Sequence, residues 1–123
     1  MKSSVRVALL AVLAAVLVVP DGAFAHAFLD RAAPAVGSTV HGSPAEVRLR
    51  FTQELEPAFS TVRVFDHGGK QVDRQDKRLE RGDATLLKVS VPPLAPGIYR
   101  VVWRALSVDA HVTEGDFTFE VAP

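Results

Sequence analysis

The sequence predicts an all-β domain, a sandwich of about seven short strands. Three observations carry that expectation. Apolar and polar residues alternate with period two in several stretches, the pattern of strands with one wet face. Proline and glycine punctuate the chain between those stretches. Beyond the N-terminal segment, no window of 11 or more residues holds a helical period.

The N-terminal segment is set apart before the fold is read. Lys2 and Arg6 precede an unbroken apolar run of 13 residues, Val7 to Val19, and Pro20-Asp21-Gly22 breaks that run. Ala23-Phe24-Ala25 then has the small-x-small form that a signal peptidase cuts. Residues 1–25 read as a cleaved signal peptide. The alternative, an N-terminal anchor helix, has a run that is short for a membrane span. Cleavage leaves residues 26–123, which are 98 residues and one small domain exported to the periplasm or secreted. Without Lys2, Arg6 and Asp21 this part keeps 12 basic and 13 acidic side chains. Near neutrality gives no electrostatic footprint for nucleic acid or an anionic membrane. The chain has no cysteine, which removes disulfides, thiolate metal sites and cysteine nucleophiles together.

The strands follow in order. Ala27-Phe28-Leu29 reads as a short first strand, and Pro34, Gly37 and Ser43-Pro44 mark turns. Val47, Leu49 and Phe51 alternate with Arg48 and Arg50, and Val62 and Val64 alternate with Thr61 and Arg63. Between them Thr52 to Ala58, with Glu54, Glu56 and Pro57, reads as a connecting loop. Asp66-His67-Gly68-Gly69 reads as a hairpin turn, where glycine tolerates positive φ. The charged run from Asp73 to Asp83 reads as a solvated edge or loop. Leu87, Val89 and Val91 form the next strand, closed by Pro92-Pro93. Tyr99 enters a strand just after Pro96-Gly97, like the tyrosine corner of Greek-key sandwiches. Tyr99, Val101, Trp103 and Ala105 then share one face, with Arg100 and Arg104 on the other. Phe117, Phe119 and Val121 mark the last strand. Trp103 and the phenylalanines are expected to fill the core.

Four histidines are candidates for chemistry. His67 sits in a turn and His41 beside Gly42 in a loop, where solvated residues are the ordinary occupants. His111 and Asp109 are separated by two positions, which in extended chain turns both side chains the same way. They are either two ligands of a metal site or an ordinary hydrogen-bonded Asp–His pair. The N-terminus bears on that choice. After cleavage His26 offers its free amine and its imidazole together, a ready chelate. Adding His111 and Asp109 makes three nitrogens and one oxygen, a set suited to the tetragonal preference of Cu(II). Zinc fits a tetrahedral version less well. The absence of sulfur ligands beyond Met1 argues against Cu(I).

These residues resemble the CopC family of periplasmic copper-binding, copper-resistance proteins (the CopC/YobA group). The resemblance opens on His26-Ala27 and runs through Ala33-Pro34-Ala35-Val36-Gly37-Ser38, Leu49-Arg50-Phe51 and Pro96-Gly97-Ile98-Tyr99. It closes on Trp103-Arg104-Ala105-Leu106-Ser107-Val108-Asp109-Ala110-His111. It implies an Ig-like Greek-key β-sandwich or barrel over residues 26–123, and one Cu(II) ion held by His26 with its amine, Asp109 and His111. It implies copper resistance, buffering or delivery rather than catalysis, with an inner-membrane copper importer as a partner. Two departures stand out. Phe28 occupies the place where members with a second, Cu(I) site carry another histidine, and the methionines of such sites are missing. Gln53 falls where many members place a glutamate, with Glu54 and Glu56 nearby. Two other readings are carried: a copper-dependent oxidase built on an N-terminal histidine brace, and a metal-free Ig-like interaction module.

Overall fold

A computed structural model describes residues 27–123. Residues 1–26, with the expected signal peptide and His26, lie outside the described residues. Eight strands form: β1 (Leu29–Ala33), β2 (Thr39–His41), β3 (Glu46–Phe51), β4 (Thr61–Phe65), β5 (Arg78–Glu80), β6 (Asp83–Ser90), β7 (Gly97–Leu106) and β8 (Val112–Ala122). They make two four-stranded sheets, ordered β1-β3-β6-β5 and β2-β8-β7-β4. All pairings are antiparallel except β2 with β8. A single 3₁₀ turn, Pro57–Phe59, is the one helical element among the described residues. No described helix is long and apolar enough to cross a membrane.

The all-β sandwich stands as the sequence predicts, with eight strands against about seven. The additional pairing comes from β2 and β5, three-residue edge strands too short to display a period. β5 lies inside the charged run expected to be a loop or edge. The first strand is shifted: it starts at Leu29 and runs through Asp30 and Arg31, not over Ala27-Phe28-Leu29. A register irregularity between Leu29 and Arg31 explains why its side chains do not alternate cleanly.

The predicted inward faces form the core, but Phe28 and Phe59, expected among its phenylalanines, are exposed. Val47, Leu49, Val64, Leu87, Val89, Val101 and Phe119 are all but fully buried between the sheets. Each such side chain contributes about 1.5–3 kcal/mol by leaving water. Trp103 meets Phe51 edge to face at 5.1 Å, and Tyr99 stacks on Phe119 at 5.6 Å. The tyrosine corner forms: Tyr99 Oη donates to the Ala95 carbonyl at 2.6 Å. Trp103 has a further requirement. Its register partner on β8 is Gly115, and a Cβ there would lie 2.6 Å from the indole Cζ2. The glycine is the space the indole occupies.

One carboxylate in the charged run is not solvated. Asp73 is 8% exposed. It accepts from the Val64 amide at 2.8 Å and the Gln75 amide at 3.1 Å. With the Val72 amide donating to the Val64 carbonyl, it covers the outer edge of β4.

Candidate metal centre

β7 and β8 form a hairpin whose connection, residues 107–111, carries both candidate ligands. Its shape follows from a tight turn. The Ala110 amide donates to the Ser107 carbonyl at 2.9 Å, and the Ser107 amide to the His111 carbonyl at 3.0 Å. Ala110 takes φ of 69°, a left-handed conformation that an L-residue adopts only under constraint. The turn, rather than an extended strand, brings Asp109 and His111 together. His111 Nδ1 lies 3.5 Å from Asp109 Oδ1, with both side chains nearly half exposed.

The loop after β3 braces this turn from one side. The Val108 amide donates to the Glu54 carbonyl at 3.1 Å, and the Glu56 amide to the Leu106 carbonyl at 2.8 Å. Leu55 forms an isolated bridge with Ser107. Buried Ser60 adds its hydroxyl, donating to the Glu56 carbonyl at 2.8 Å and accepting from the Leu106 amide at 3.1 Å. Glu54 and Glu56 therefore meet the turn through their backbones, while their side chains are exposed and Gln53 is half-buried.

Beneath the pair sits Ser107, 1% exposed, at the next inward position after Trp103 and Ala105. Its hydroxyl donates to Asp109 Oδ1. That bond, followed by the neighbouring His111, holds the Asp109 carboxyl below its usual pKa against the opposing effect of desolvation. Asp109 is therefore a carboxylate at neutral pH, the form that binds a metal.

The described chain begins at this end of the sandwich. Ala27 is fully buried. Its carbonyl accepts from Thr113 Oγ1 at 2.5 Å, two positions beyond His111. Phe28 is clamped to Thr52 by two bonds of 2.9 Å, one from each backbone amide. The other histidines lie elsewhere. His41 pairs with Ala122 at the far end of β8, roughly 30 Å along the strand from the turn. His67 follows Phe65, which pairs with Arg100 near the start of β7. The described residues bring no three His, Cys, Asp or Glu side chains into one metal-holding group. Asp109 and His111 are the two candidate donors that the turn brings together. The hydrogen bonds of Ser107, Thr113 and Thr52 at this end of the sandwich were not legible in the sequence. Only Ser107 carried a signal, a polar residue continuing the inward face of a core strand.

Comparison with known proteins bears on what this end of the molecule does. The CopC domain family matches residues 29–122. Protein YobA of Escherichia coli K12 is 34% identical over 113 residues, covering 91% of this chain and 90% of that protein. CopC from Methylosinus trichosporium OB3b superposes with a TM-score of 0.75 at 38% identity, covering 80% of this chain and 95% of the other. PcoC, a methionine-rich copper resistance protein from Escherichia coli, gives a TM-score of 0.70 at 30% identity over 79% and 99% of the two chains. Copper transport protein CutJ of Bacillus subtilis 168 is 27% identical over 103 residues, and there the chain spans only 19% of the relative's length.

Proposed function

Because this chain belongs to the CopC family, whose members here include copper resistance proteins, we propose that it binds one Cu(II) ion through His26, Asp109 and His111. Cleavage after Ala25 frees the His26 amine, which with the His26 imidazole forms the chelating half of the site. Asp109 supplies an oxygen and His111 a third nitrogen. The protein acts outside the cytoplasm, in the periplasm or after secretion, where it buffers copper or passes it to a membrane importer. Its role is binding and transfer rather than catalysis.

The observation that carries this reading is the bond from Thr113 to the Ala27 carbonyl. It ties the residue next to His26 to the strand that leaves His111. Two donors in an open turn make a weak site alone, and the proposed His26 chelate completes a tetragonal nitrogen-rich set. The half-exposed Asp109 and His111 side chains suit an ion that must be taken up and given away. Copper binding displaces protons from the amine and imidazoles, so apparent affinity falls with acid. The longer CutJ relative, a copper transport protein, supports hand-off to a transport chain.

The test compares two proteins by Cu(II) titration with EPR. One begins at His26 and the other carries an extra glycine before it. One Cu(II) with a tetragonal nitrogen-rich spectrum, lost on adding the glycine, supports the site. Equal binding by both removes the N-terminal chelate.

A further inference from the structure

We propose that Ser107 is the positioning residue of this site: its buried hydroxyl holds the Asp109 carboxylate against His111, so that both donors are arranged before copper arrives. The inference rests on the copper-binding reading above and assigns a role to a residue that does not touch the metal.

The position itself argues for a role. Tyr99, Val101, Trp103, Ala105 and Ser107 lie two apart on the inward face, and the first four are buried core residues. A hydroxyl sealed at the fifth, 1% exposed, costs free energy unless it is fully bonded. Its bonds converge on the candidate ligands. Ser107 Oγ donates to Asp109 Oδ1 and accepts from the His111 amide at 3.2 Å. The His111 carbonyl lies 3.3 Å away, but the hydroxyl has one proton, and a carboxylate is the stronger acceptor. A single oxygen thus meets the side chain of one donor residue and the backbone of the other.

The same geometry separates positioning from folding. The turn is closed by backbone bonds, Ala110 to Ser107 and Ser107 to His111, and neither of these involves the hydroxyl. The Asp109 side chain does not keep its tether. It is nearly half exposed, and an untethered exposed carboxylate samples several rotamers. Loss of an outer partner of a metal ligand typically lowers affinity about 10–100-fold.

The test has a metal-free arm and a copper arm, both on protein beginning at His26. Three-bond couplings measured by NMR report the Asp109 χ1 angle without metal. One rotamer is expected in the wild type and averaging in Ser107→Ala. Cu(II) affinity, read by chelator competition, is expected to fall about tenfold or more in Ser107→Ala. In an Asp109→Ala background the same substitution is expected to add no further loss. Ser107→Thr keeps the hydroxyl and is expected to retain the single rotamer, which guards against misreading a folding defect. An unchanged Asp109 rotamer in Ser107→Ala overturns the proposal, as does an equal affinity loss with and without Asp109. Absence of Cu(II) binding in the wild type defeats the functional reading instead, and the metal-free couplings still decide whether Ser107 holds Asp109.

Discussion

Thr113 donates its hydroxyl to the carbonyl of Ala27 across 86 positions of sequence. The bond fastens the start of the described chain to β8, the strand that follows His111. Thr113→Val keeps the shape and removes the donor, leaving the buried Ala27 carbonyl without it. The expected cost is about 1 kcal/mol of stability, and on the proposed assignment of His26 as a ligand Cu(II) affinity falls about tenfold. Thermal unfolding and chelator competition on the same protein check both. Unchanged affinity would separate the N-terminus from the site.

The histidines divide by location. His111→Ala is expected to weaken Cu(II) binding by more than the 10–100-fold typical of an outer partner, since it removes a proposed ligand. His67→Ala, in the turn after β4, is expected to leave affinity unchanged. Titrations of both variants decide the matter, and similar losses would move the site.

Gly115 and Trp103 share a register position with no room for a methyl group between them. Gly115→Ala drives a Cβ into the indole and is expected to cost about 1–3 kcal/mol through overpacking. Trp103 is the sole tryptophan, so its emission reports the repacking directly. Denaturant unfolding followed by that emission gives the stability change. A stability equal to wild type would show that the indole can move aside freely.

Asp83 connects the outer face of the β1-β3-β6-β5 sheet to acid stability. Thr85, first by its hydroxyl, and then Arg50 lower the Asp83 pKa from 3.8 to about 2. Arg50 Nη1 reaches it at 2.8 Å. The folded protein therefore binds this proton less readily than the unfolded chain. The stabilisation is complete above pH about 3.8 and is lost as pH falls through about 2. Asp83→Asn is expected to flatten the stability profile between those two values. Urea midpoints measured across that range test it, and parallel profiles for the two proteins would refute it.

The central strands were legible because burial on one face writes itself as period two. Val47-Leu49-Phe51 and Phe117-Phe119-Val121 are such cases, and Tyr99 announced its corner through the preceding Pro-Gly. β2 and β5 were not legible, since three residues cannot show a period. Asp73 misled for a different reason: its charge suggested water, but backbone amides of neighbouring segments satisfy it in the interior. At the site, the spacing of Asp109 and His111 suggested a shared side on extended chain. Their contact arises instead from a turn with Ala110 in a left-handed conformation, which no local pattern required.

By itself the sequence determined the all-β class, the inward faces of the long strands and the pairing of Asp109 with His111 in one short segment. These are local quantities, set by the two-residue repeat of a strand and by the reach of a few bonds. Only the tertiary structure decided that Ala27 meets Thr113, that Glu54 to Glu56 brace residues 106–108, and that His41 and His67 lie away from the turn. Those relationships depend on sheet order and register, which follow from how two whole sheets bury their faces against each other. No stretch of sequence contains that information until the sheets are packed.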